Sequence, residues 1–252
     1  MAQQRPYVLS IAGFDPSGGA GILADIKTFE MHRVTGLGVA TCMTYQHESR
    51  FDGIHWFPED SIAAQLDVLL ERYTIAAAKI GLIGTTDVLT MAIDKLRSAN
   101  PAVHIVWDPV MSASAGFRFH ERIESSALEV ITRSLGGHSV ITPNWKEMEE
   151  LLPVPALEGA AKMSAWCPVL LKGGHNEQAK GYDYLFTQGT MQRFRPKSVS
   201  AYAKHGSGCV LSAALAAALA QGYKLHRACL RAKQYTLRFL ESTPGLLGFH
   251  KR

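Results

Sequence analysis

The sequence predicts an α/β protein of three layers: a mostly parallel central sheet, helices on both of its faces, and a few antiparallel strands. Short runs rich in β-branched residues alternate with amphipathic helical stretches, the pattern of a parallel sheet covered on both sides. The 252 residues, 47% of them apolar, are enough for a substantial core. No repeat or long linker interrupts the alternation, so we expect a single domain spanning residues 1–252.

The elements follow one another in a regular order along the chain. Short β-rich runs predict strands at 7–12, 38–43, 76–80, 103–107, 139–141 and 169–171. Amphipathic or alanine-rich stretches predict helices at 19–33, 61–73, 86–98, 121–134, from 146 onward, 207–221 and 225–240. The runs 182–186 and 191–194 flank Thr-Gln-Gly-Thr, which is typical of a hairpin turn and predicts the antiparallel strands. Gly222 is a natural stop between the last two helices.

Composition and charge exclude several classes of function. The formal net charge of +4 gives no case for nucleic-acid binding, although a mild positive bias suits an anionic ligand. The four cysteines form no Cys-x-x-Cys pair, so neither a zinc site nor a disulfide framework is indicated. The N-terminus has no apolar signal segment, and the most apolar stretch, 211–220, is about half a membrane span. We therefore expect a cytoplasmic protein that does not bind membranes.

The glycine-rich loop 13–21 follows the first strand and opens the first helix. Three interpretations of it compete. It is a tight turn capped by Asp15 or Ser17, a dinucleotide site of the G-x-G-x-x-A type, or a small-substrate pocket in which Asp15 and Asp25 bind hydroxyl or amine groups. The dinucleotide match is weak because the loop is long and no acid ends the second strand at the usual interval. We favour the substrate pocket, and the sequence contains no Walker A pattern.

A second glycine-rich turn, 205–209, precedes the alanine-rich helix. Gly206 and Gly208 bracket Ser207, so that several backbone N–H groups converge at a helix N-terminus and form an anion hole. Such a hole suits phosphoryl transfer, in which negative charge spreads over the transferring oxygens. Cys209 falls in the first helical turn, where we expect a stabilised thiolate that accepts a proton from a substrate hydroxyl. The alternative is a structural turn with a buried cysteine.

Six segments of the chain stand out together: AGFDPSGGAGILADIKT (12–28), KIGLIG (79–84), WDPVM (107–111), ITPN (141–144), LKGGH (171–175) and GSGC (206–209). Taken together, they resemble hydroxymethylpyrimidine/phosphomethylpyrimidine kinases, in the order of that family and over nearly the whole chain. The resemblance implies a ribokinase-like fold without an inserted lid domain, ATP as co-substrate, Mg²⁺, a small pyrimidine as substrate, and usually a homodimer.

The resemblance also assigns roles to individual residues. It implies that Cys209 is the catalytic base, that Gly206, Ser207 and Gly208 form the anion hole, and that Gln46, after the second strand, reads the aminopyrimidine edge. The remaining predicted substrate-binding residues are Gly13, Asp15, Ala20, Asp25 and Leu82, the predicted phosphate-binding residues are Lys172 and Asn144, and the predicted metal-binding residues are Glu147 and Asp108.

Several alternatives remain open at this point. Gln46 is equally compatible with a solvated loop position, and Asn144 with Glu147 three residues later is also an N-cap pattern. Leu82 stands where the family commonly has methionine, which affects the substrate more than the reaction. A pyridoxal or pyridoxine kinase of the same fold is therefore the alternative enzyme. A non-catalytic pyrimidine-binding regulator and, more distantly, a nicotinamide-dependent oxidoreductase are the other candidates.

Overall fold

One nine-stranded sheet organises the computed structural model, which describes residues 5–112, 119, 123–175, 179–197 and 202–251. The strands are β1 Tyr7–Phe14, β2 Thr35–His47, β3 Arg50–Trp56, β4 Ile75–Ile80, β5 His104–Trp107, β6 Ser139–Ile141, β7 Val169–Leu171, β8 Asp183–Thr187 and β9 Thr190–Phe194. The helices are α1 Gly21–Met31, α2 Glu59–Arg72, α3 Thr86–Ala99, α4 Ser125–Leu135, α5 Trp145–Leu151, α6 Ala156–Met163, α7 Ser207–Ala220 and α8 Leu225–Leu240.

The strands lie in the order β3-β2-β1-β4-β5-β6-β7-β8-β9. All neighbours from β2 to β7 are parallel, whereas β3, β8 and β9 pair antiparallel at the two sides of the sheet. The predicted mostly parallel sheet with a few antiparallel strands is thus confirmed. The chain runs outward from β1 to β2 in one direction and returns through β4 in the other. This reversal leaves a crevice at the carboxyl ends of β1 and β4, the usual place of a ligand in such sheets.

Two apolar cores, one on each face, fix the layers. Helices α2 to α6 pack on one face, with Leu66 and Leu89 among the buried side chains. Helices α1, α7 and α8 pack on the other, where Phe29 and Phe239 are buried. In α7 all residues from Val210 to Leu219 are buried, because this helix lies between the sheet, α1 and α8. The sheet and its flanking helices therefore hold the N-terminus of α7 in a fixed place.

Several elements differ from the sequence prediction. Strand β2 is longer than predicted, and β3 was not predicted because its exposed positions carry polar residues, as in Arg50 and Asp52. Helix α6 was also missed. Helix α1 begins at Gly21 rather than at residue 19, since Ala20 has an extended conformation. The predicted start of the fourth helix, 121–122, lies outside the described residues, and α4 is helical from Ser125.

None of the helices in the part of the chain that the structure describes is both long and apolar enough to cross a bilayer.

Candidate active site

The crevice between β1 and β4 opens into a cavity of about 1050 Å³ at the carboxyl edge of the sheet. Every residue that the sequence predicted for the site lines this cavity, with the exception of Asp25. The lining includes Gly13, Asp15, Ala20, Gln46, Leu82, Asp108, Asn144, Glu147, Lys172, Gly206, Ser207, Gly208 and Cys209. The loops that carry them are far apart in the sequence, and the sheet brings them to one place.

The turn before α7 has the shape of an anion hole. Gly206 is the N-cap residue with a φ of 71°, so the helix begins without a side-chain cap, and its first turn contains no acidic residue. A methyl group at Gly206 would clash with the carbonyl oxygen of Gly19 and lie 2.8 Å from the Cα of Ala20. Only glycine therefore fits this turn. The uncapped N–H groups and the helix dipole leave an N-terminus suited to an anion.

Asp15 binds protein atoms on all sides, and the prediction that it hydrogen-bonds substrate groups is not supported. One oxygen accepts hydrogen bonds from the Ser17 amide and hydroxyl at 2.9 Å, and the other from the Ala20 amide at 2.8 Å. His205 Nε2 lies 2.8 Å from that second oxygen. Burial alone would raise the pKa of Asp15, but the hydrogen bonds, led by that of His205, hold the pKa below its ordinary value. Asp15 thus joins the first loop to the turn before α7.

Asp25 does not reach the cavity, and its prediction as a substrate-binding residue is wrong. Its side chain is fully buried, with Oδ2 2.9 Å from Lys79 Nζ and 2.6 Å from the hydroxyl of Ser10. Asp25 lies on the buried face of α1, where the Lys79 ammonium stabilises its charge. Burial would lower the pKa of Lys79, but Asp25 and other nearby anionic groups raise it above its ordinary value.

Lys172 lies between two carboxylates beside the anion-hole turn. Its Nζ is 2.6 Å from Asp108 Oδ1 and 3.6 Å from Glu147 Oε2. A methyl group at Gly208 would be 3.4 Å from the same ammonium, so a phosphate at the turn would also meet Lys172. Both oxygens of Asp108 are already engaged, since Thr142 and Ser212 donate to them as well. In this arrangement Asp108 is the counter-ion of Lys172.

Asn144 and Glu147 form a capping box at the start of α5, as the alternative interpretation expected. Asn144 Oδ1 accepts from the Glu147 amide at 3.0 Å, and Glu147 Oε2 accepts from the Asn144 amide at 2.7 Å. Glu147 nevertheless faces the cavity. Burial, aided by the neighbouring Asp108, raises its pKa to about 7, while Lys172 and the Asn144 amide act in the opposite direction. The residue thus caps the helix and supplies an acidic group to the site.

Cys209 is the one cysteine of the four with part of its surface exposed; Cys42, Cys167 and Cys229 are buried. The expectation of a stabilised thiolate is wrong for this state of the molecule, because burial raises the pKa of the Cys209 thiol. Lys79 and a backbone hydrogen bond from Gly21 act in the opposite direction without overcoming burial.

The substrate end of the cavity is formed by Gln46, Gly13 and Leu82. Gln46 lies within β2 rather than after it, next to a register shift in the pairing with β3, and its side chain is half-buried. A methyl group at Gly13 would lie 2.7 Å from Cys42 Sγ and 3.3 Å from Leu82 Cδ2. Even a methyl group at Gly13 would meet these two side chains, so the backbone of Gly13 packs directly against Cys42 and Leu82.

Comparison with known proteins agrees with this geometry. The sequence profile described as phosphomethylpyrimidine kinase matches residues 15–250. The hydroxymethylpyrimidine/phosphomethylpyrimidine kinase of Salmonella typhimurium is 38% identical over 224 residues, which cover 85% of this chain and 83% of that protein. The chain belongs to the phosphomethylpyrimidine kinase family. This confirms the resemblance and the prediction of a kinase.

Solved structures of related kinases share the fold. Staphylococcus aureus pyridoxal kinase in complex with ADP superposes with a TM-score of 0.81 at 26% identity, covering 95% of this chain and 89% of that one. The phosphomethylpyrimidine kinase of Clostridium difficile gives a TM-score of 0.73 at 28% identity, covering 92% and 98%. The predicted ribokinase-like sandwich of the family is confirmed by these neighbours.

Two residues of this kinase site escaped the sequence analysis. Lys79 was noted only as part of a family segment, and His205 only as the start of a turn. A lysine in an otherwise apolar strand, Ile75–Ile80, is the signal that should have singled out Lys79, since a charge there must be paired. His205 offered no comparable signal, because its partner Asp15 is 190 residues away.

Proposed function

We propose that this protein transfers the γ-phosphoryl group of ATP to the hydroxymethyl oxygen of 4-amino-5-hydroxymethyl-2-methylpyrimidine, and then phosphorylates the monophosphate to the diphosphate used in thiamine biosynthesis. The observation that carries the proposal is the turn 205–209. It sets the uncapped N-terminus of α7, the partly exposed Cys209 thiol and the nearby Lys172 ammonium around one cavity. The family and the name of the Salmonella relative support the substrate class.

The transfer follows from this arrangement. The substrate oxygen forms a bond to the γ-phosphorus while the bond from that phosphorus to the β,γ-bridging oxygen breaks and ADP leaves. The hydroxyl proton passes to the sulfur of Cys209, which must first lose its own proton to solvent. Negative charge on the transferring oxygens meets the N–H groups of the α7 first turn and the ammonium of Lys172. These groups are fixed by the fold before the substrates arrive.

The pyrimidine binds at the other end of the cavity. The amide of Gln46 offers a donor and an acceptor side by side, which matches the amino group and ring nitrogen of an aminopyrimidine. Gly13 and Leu82, which line the same cavity, would lie against the ring. Ala20 lines the same region at the start of α1.

Mg²⁺ is part of the proposal because the donors suit it. Glu147 presents a hard oxygen ligand to the cavity, and Mg²⁺ commonly takes one or two carboxylates and completes its shell with phosphate oxygens and water. The described residues contain no cluster of three or more acidic, histidine or cysteine ligands. When bound, Mg²⁺ would neutralise charge on the β- and γ-phosphates. Asn144, whose side chain caps α5, would orient a phosphate or a water ligand.

Pyridoxal is the second candidate substrate, and a specific observation favours it: the S. aureus pyridoxal kinase, also solved with pyridoxal, has the highest TM-score quoted above. A competition assay decides between the two. Pyrimidine and pyridoxal are offered together with ATP, and the two phosphorylated products are quantified by mass spectrometry. We expect the pyrimidine product to dominate; an excess of pyridoxal phosphate would overturn the substrate assignment and retain the kinase.

Replacement of the proposed base tests the reaction. Cys209→Ala should lower kcat by about 10²- to 10⁴-fold, because proton transfer loses its acceptor, while pyrimidine binding measured by calorimetry persists. Cys167→Ala, at a buried cysteine outside the cavity, is the matched control and should retain turnover. Near-wild-type kcat in Cys209→Ala would show that the base is assigned wrongly. Absence of any ATP-dependent turnover in the wild type would favour the regulator instead.

Three broader expectations belong to the same proposal. One sheet connects the described residues from β1 to β9, which supports a single domain over 1–252. The homodimer implied by the resemblance stays a prediction, which light scattering on the purified protein checks. The cytoplasmic location stays a prediction as well.

A further inference from the structure

The ion pair of Lys79 and Asp25 joins the carboxyl end of β4 to α1, the helix whose first residue, Gly21, donates a backbone hydrogen bond to the Cys209 sulfur. Lys79 belongs to β4 and Asp25 to α1, and neither side chain has any solvent exposure. Lys79 Nζ donates to Asp25 Oδ2, which also accepts from Ser10, whereas Asp25 Oδ1 is buried without a hydrogen-bond partner. Oδ2 of Asp25 therefore has two hydrogen-bond donors, whereas Oδ1 has none.

A buried ion pair often contributes less to stability than apolar side chains of similar size, because both charges lose their hydration. Removing two charges from water costs several kcal/mol for each ion, and apolar residues of similar volume are often equally or more stabilising. The other residues of β4 are alanine and isoleucine, so nothing in this strand requires a charge. An unpaired buried carboxylate oxygen adds to the cost. Stability of the fold alone does not account for Lys79.

Lys79 is also in the right place to act on the site. It borders the cavity from within the core, and its Nζ lies 2.6 Å from where a methyl group on Gly81 would stand. Helix α7, which carries Cys209 in its first turn, packs on β4. The charged groups around the Cys209 sulfur are Lys79 from β4, Asp25 from α1, Asp108 after β5 and Lys172 after β7. The backbone amide of Gly21, one turn before Asp25 in α1, donates a hydrogen bond to this sulfur, so the sulfur lies at the end of the helix that carries the partner of Lys79.

We propose that Lys79, anchored by Asp25, is a positioning residue whose ammonium holds the negative charge of the Cys209 thiolate during phosphoryl transfer. This inference deepens the proposed function, on which the catalytic part of it rests. The thiol loses its proton to solvent, Lys79 stabilises the resulting anion, and the anion then takes the proton of the substrate hydroxyl as the new O–P bond forms. Lys79 itself neither gains nor loses a proton in this sequence.

The rate of carbamidomethylation of Cys209 by iodoacetamide, followed from pH 6 to pH 11 by mass spectrometry of its peptide, tests the electrostatic link without ATP or substrate. Iodoacetamide reacts with the thiolate and not with the thiol, so the midpoint, the pH at which the reaction rate reaches half of its maximum, gives the pKa of Cys209. In Lys79→Met the midpoint should rise by at least about one unit, since an opposite charge at close range has been removed. The acid limb of the kcat profile should move in the same direction.

Two further variants control for misfolding and for a non-specific effect of removing a lysine near the cavity. Lys79→Met leaves Asp25 buried without its partner, so the double variant Asp25→Asn/Lys79→Met, which removes both charges, serves if the single variant does not fold. Its midpoint should lie above that of Asp25→Asn alone, because the two proteins differ only in the Lys79 ammonium. Lys233→Met removes the lysine of another ion pair that borders the cavity, with Asp183, and should leave the midpoint unchanged.

The outcomes separate this inference from the proposed function. An unchanged midpoint in a folded variant without Lys79 overturns the inference, even if the protein proves to be the proposed kinase. A raised midpoint in a protein whose Cys209→Ala variant still turns over would keep the electrostatic link and reject Cys209 as the base. A raised midpoint in Lys233→Met as well would show a general loosening of the site and overturn the specific role of Lys79.

Discussion

Single residues of the site are constrained by backbone geometry as much as by chemistry. Gly206 has a positive φ and lies against the backbone of Gly19 and Ala20, so that the turn before α7 and the first loop fit together. His205, the residue before it, is tied to Asp15 on that same loop. The direction of the N–H groups at the anion hole therefore depends on glycine at this position.

Gly206→Ala should lower kcat by about 10²-fold, because the added methyl group displaces the turn and with it the N–H groups that face the phosphoryl oxygens. Steady-state kinetics with ATP and the pyrimidine measure the effect. Gly222→Ala is the matched control: its φ of 82° is equally unfavourable for alanine, but nothing lies within 4 Å of the new methyl group. It should lose about 1 to 2 kcal/mol of stability and keep kcat. Equal kcat in both variants would contradict the role of the turn.

Among the elements, the short helix α5 combines a structural and a functional task at its first turn. The capping box of Asn144 and Glu147 satisfies two backbone amides of a helix that is only seven residues long. The same carboxylate lies 3.6 Å from the ammonium of Lys172. The N-cap interpretation and the ligand interpretation are thus compatible, and two substitutions separate them.

Asn144→Ala should lower the free energy of unfolding by about 1 kcal/mol, because the side-chain acceptor for the Glu147 amide is lost. Glu147→Gln keeps an oxygen acceptor for the Asn144 amide and removes a buried acidic group, so it should unfold near the wild-type midpoint. Its KM for ATP should depend more steeply on the Mg²⁺ concentration. Urea unfolding and ATP titrations at several Mg²⁺ concentrations measure both. A large loss of stability in Glu147→Gln with unchanged kinetics would show that Glu147 only caps α5 and does not bind Mg²⁺.

At the scale of the whole molecule, the last residues of the chain close the outer surface of the α1, α7 and α8 layer. His250 Nδ1 lies 2.7 Å from the hydroxyl of Tyr235 on α8, and its ring packs on Phe239. Burial, together with the nearby Lys27 and His32, lowers the pKa of His250 to about 4 from 6.5. Between about pH 4 and pH 6.5, the His250 side chain is therefore neutral in the folded protein and protonated in the unfolded chain.

This difference predicts a stability that depends on pH. The contribution of neutral His250 is fully present above about pH 6.5 and is lost as the pH falls toward 4, because only the unfolded chain takes up the proton in that window. Thermal unfolding at pH 7, 5.5 and 4.5 should show a smaller loss of Tm in His250→Phe than in the wild type. His55→Asn, at an exposed histidine, is the control and should follow the wild type. A His250→Phe curve parallel to the wild type would refute this account.

Local pattern was sufficient for most of the architecture and for the membership of the site. The alternation of apolar runs and helical stretches predicted the parallel strands. The two glycine-rich loops marked the places where α1 and α7 begin at the cavity. Some elements were predicted less well. The alternation of β3 is interrupted at Gly53 and Ile54, and α6, although its buried residues recur at helical spacing, has only eight residues and contains a glycine.

The partners of the charged residues were not available from the sequence. Asp15 and Asp25 look alike in the first segment, yet one binds His205 and the other Lys79, and the residues of each pair are 190 and 54 positions apart. The raised pKa of the Cys209 thiol could not be predicted from the sequence either, because it depends on how deeply the thiol is buried in the folded protein.

The sequence by itself determined the class of fold, the family and the residues that gather at the cavity, since these follow from local periodicity and from glycine, amide and thiol positions within short segments. The tertiary structure decided which acids are free to meet a ligand and which serve as counter-ions. The physical reason is that the energy of a charge depends on its burial and on the charges beside it, and both are set only when strands and helices distant in the sequence pack together.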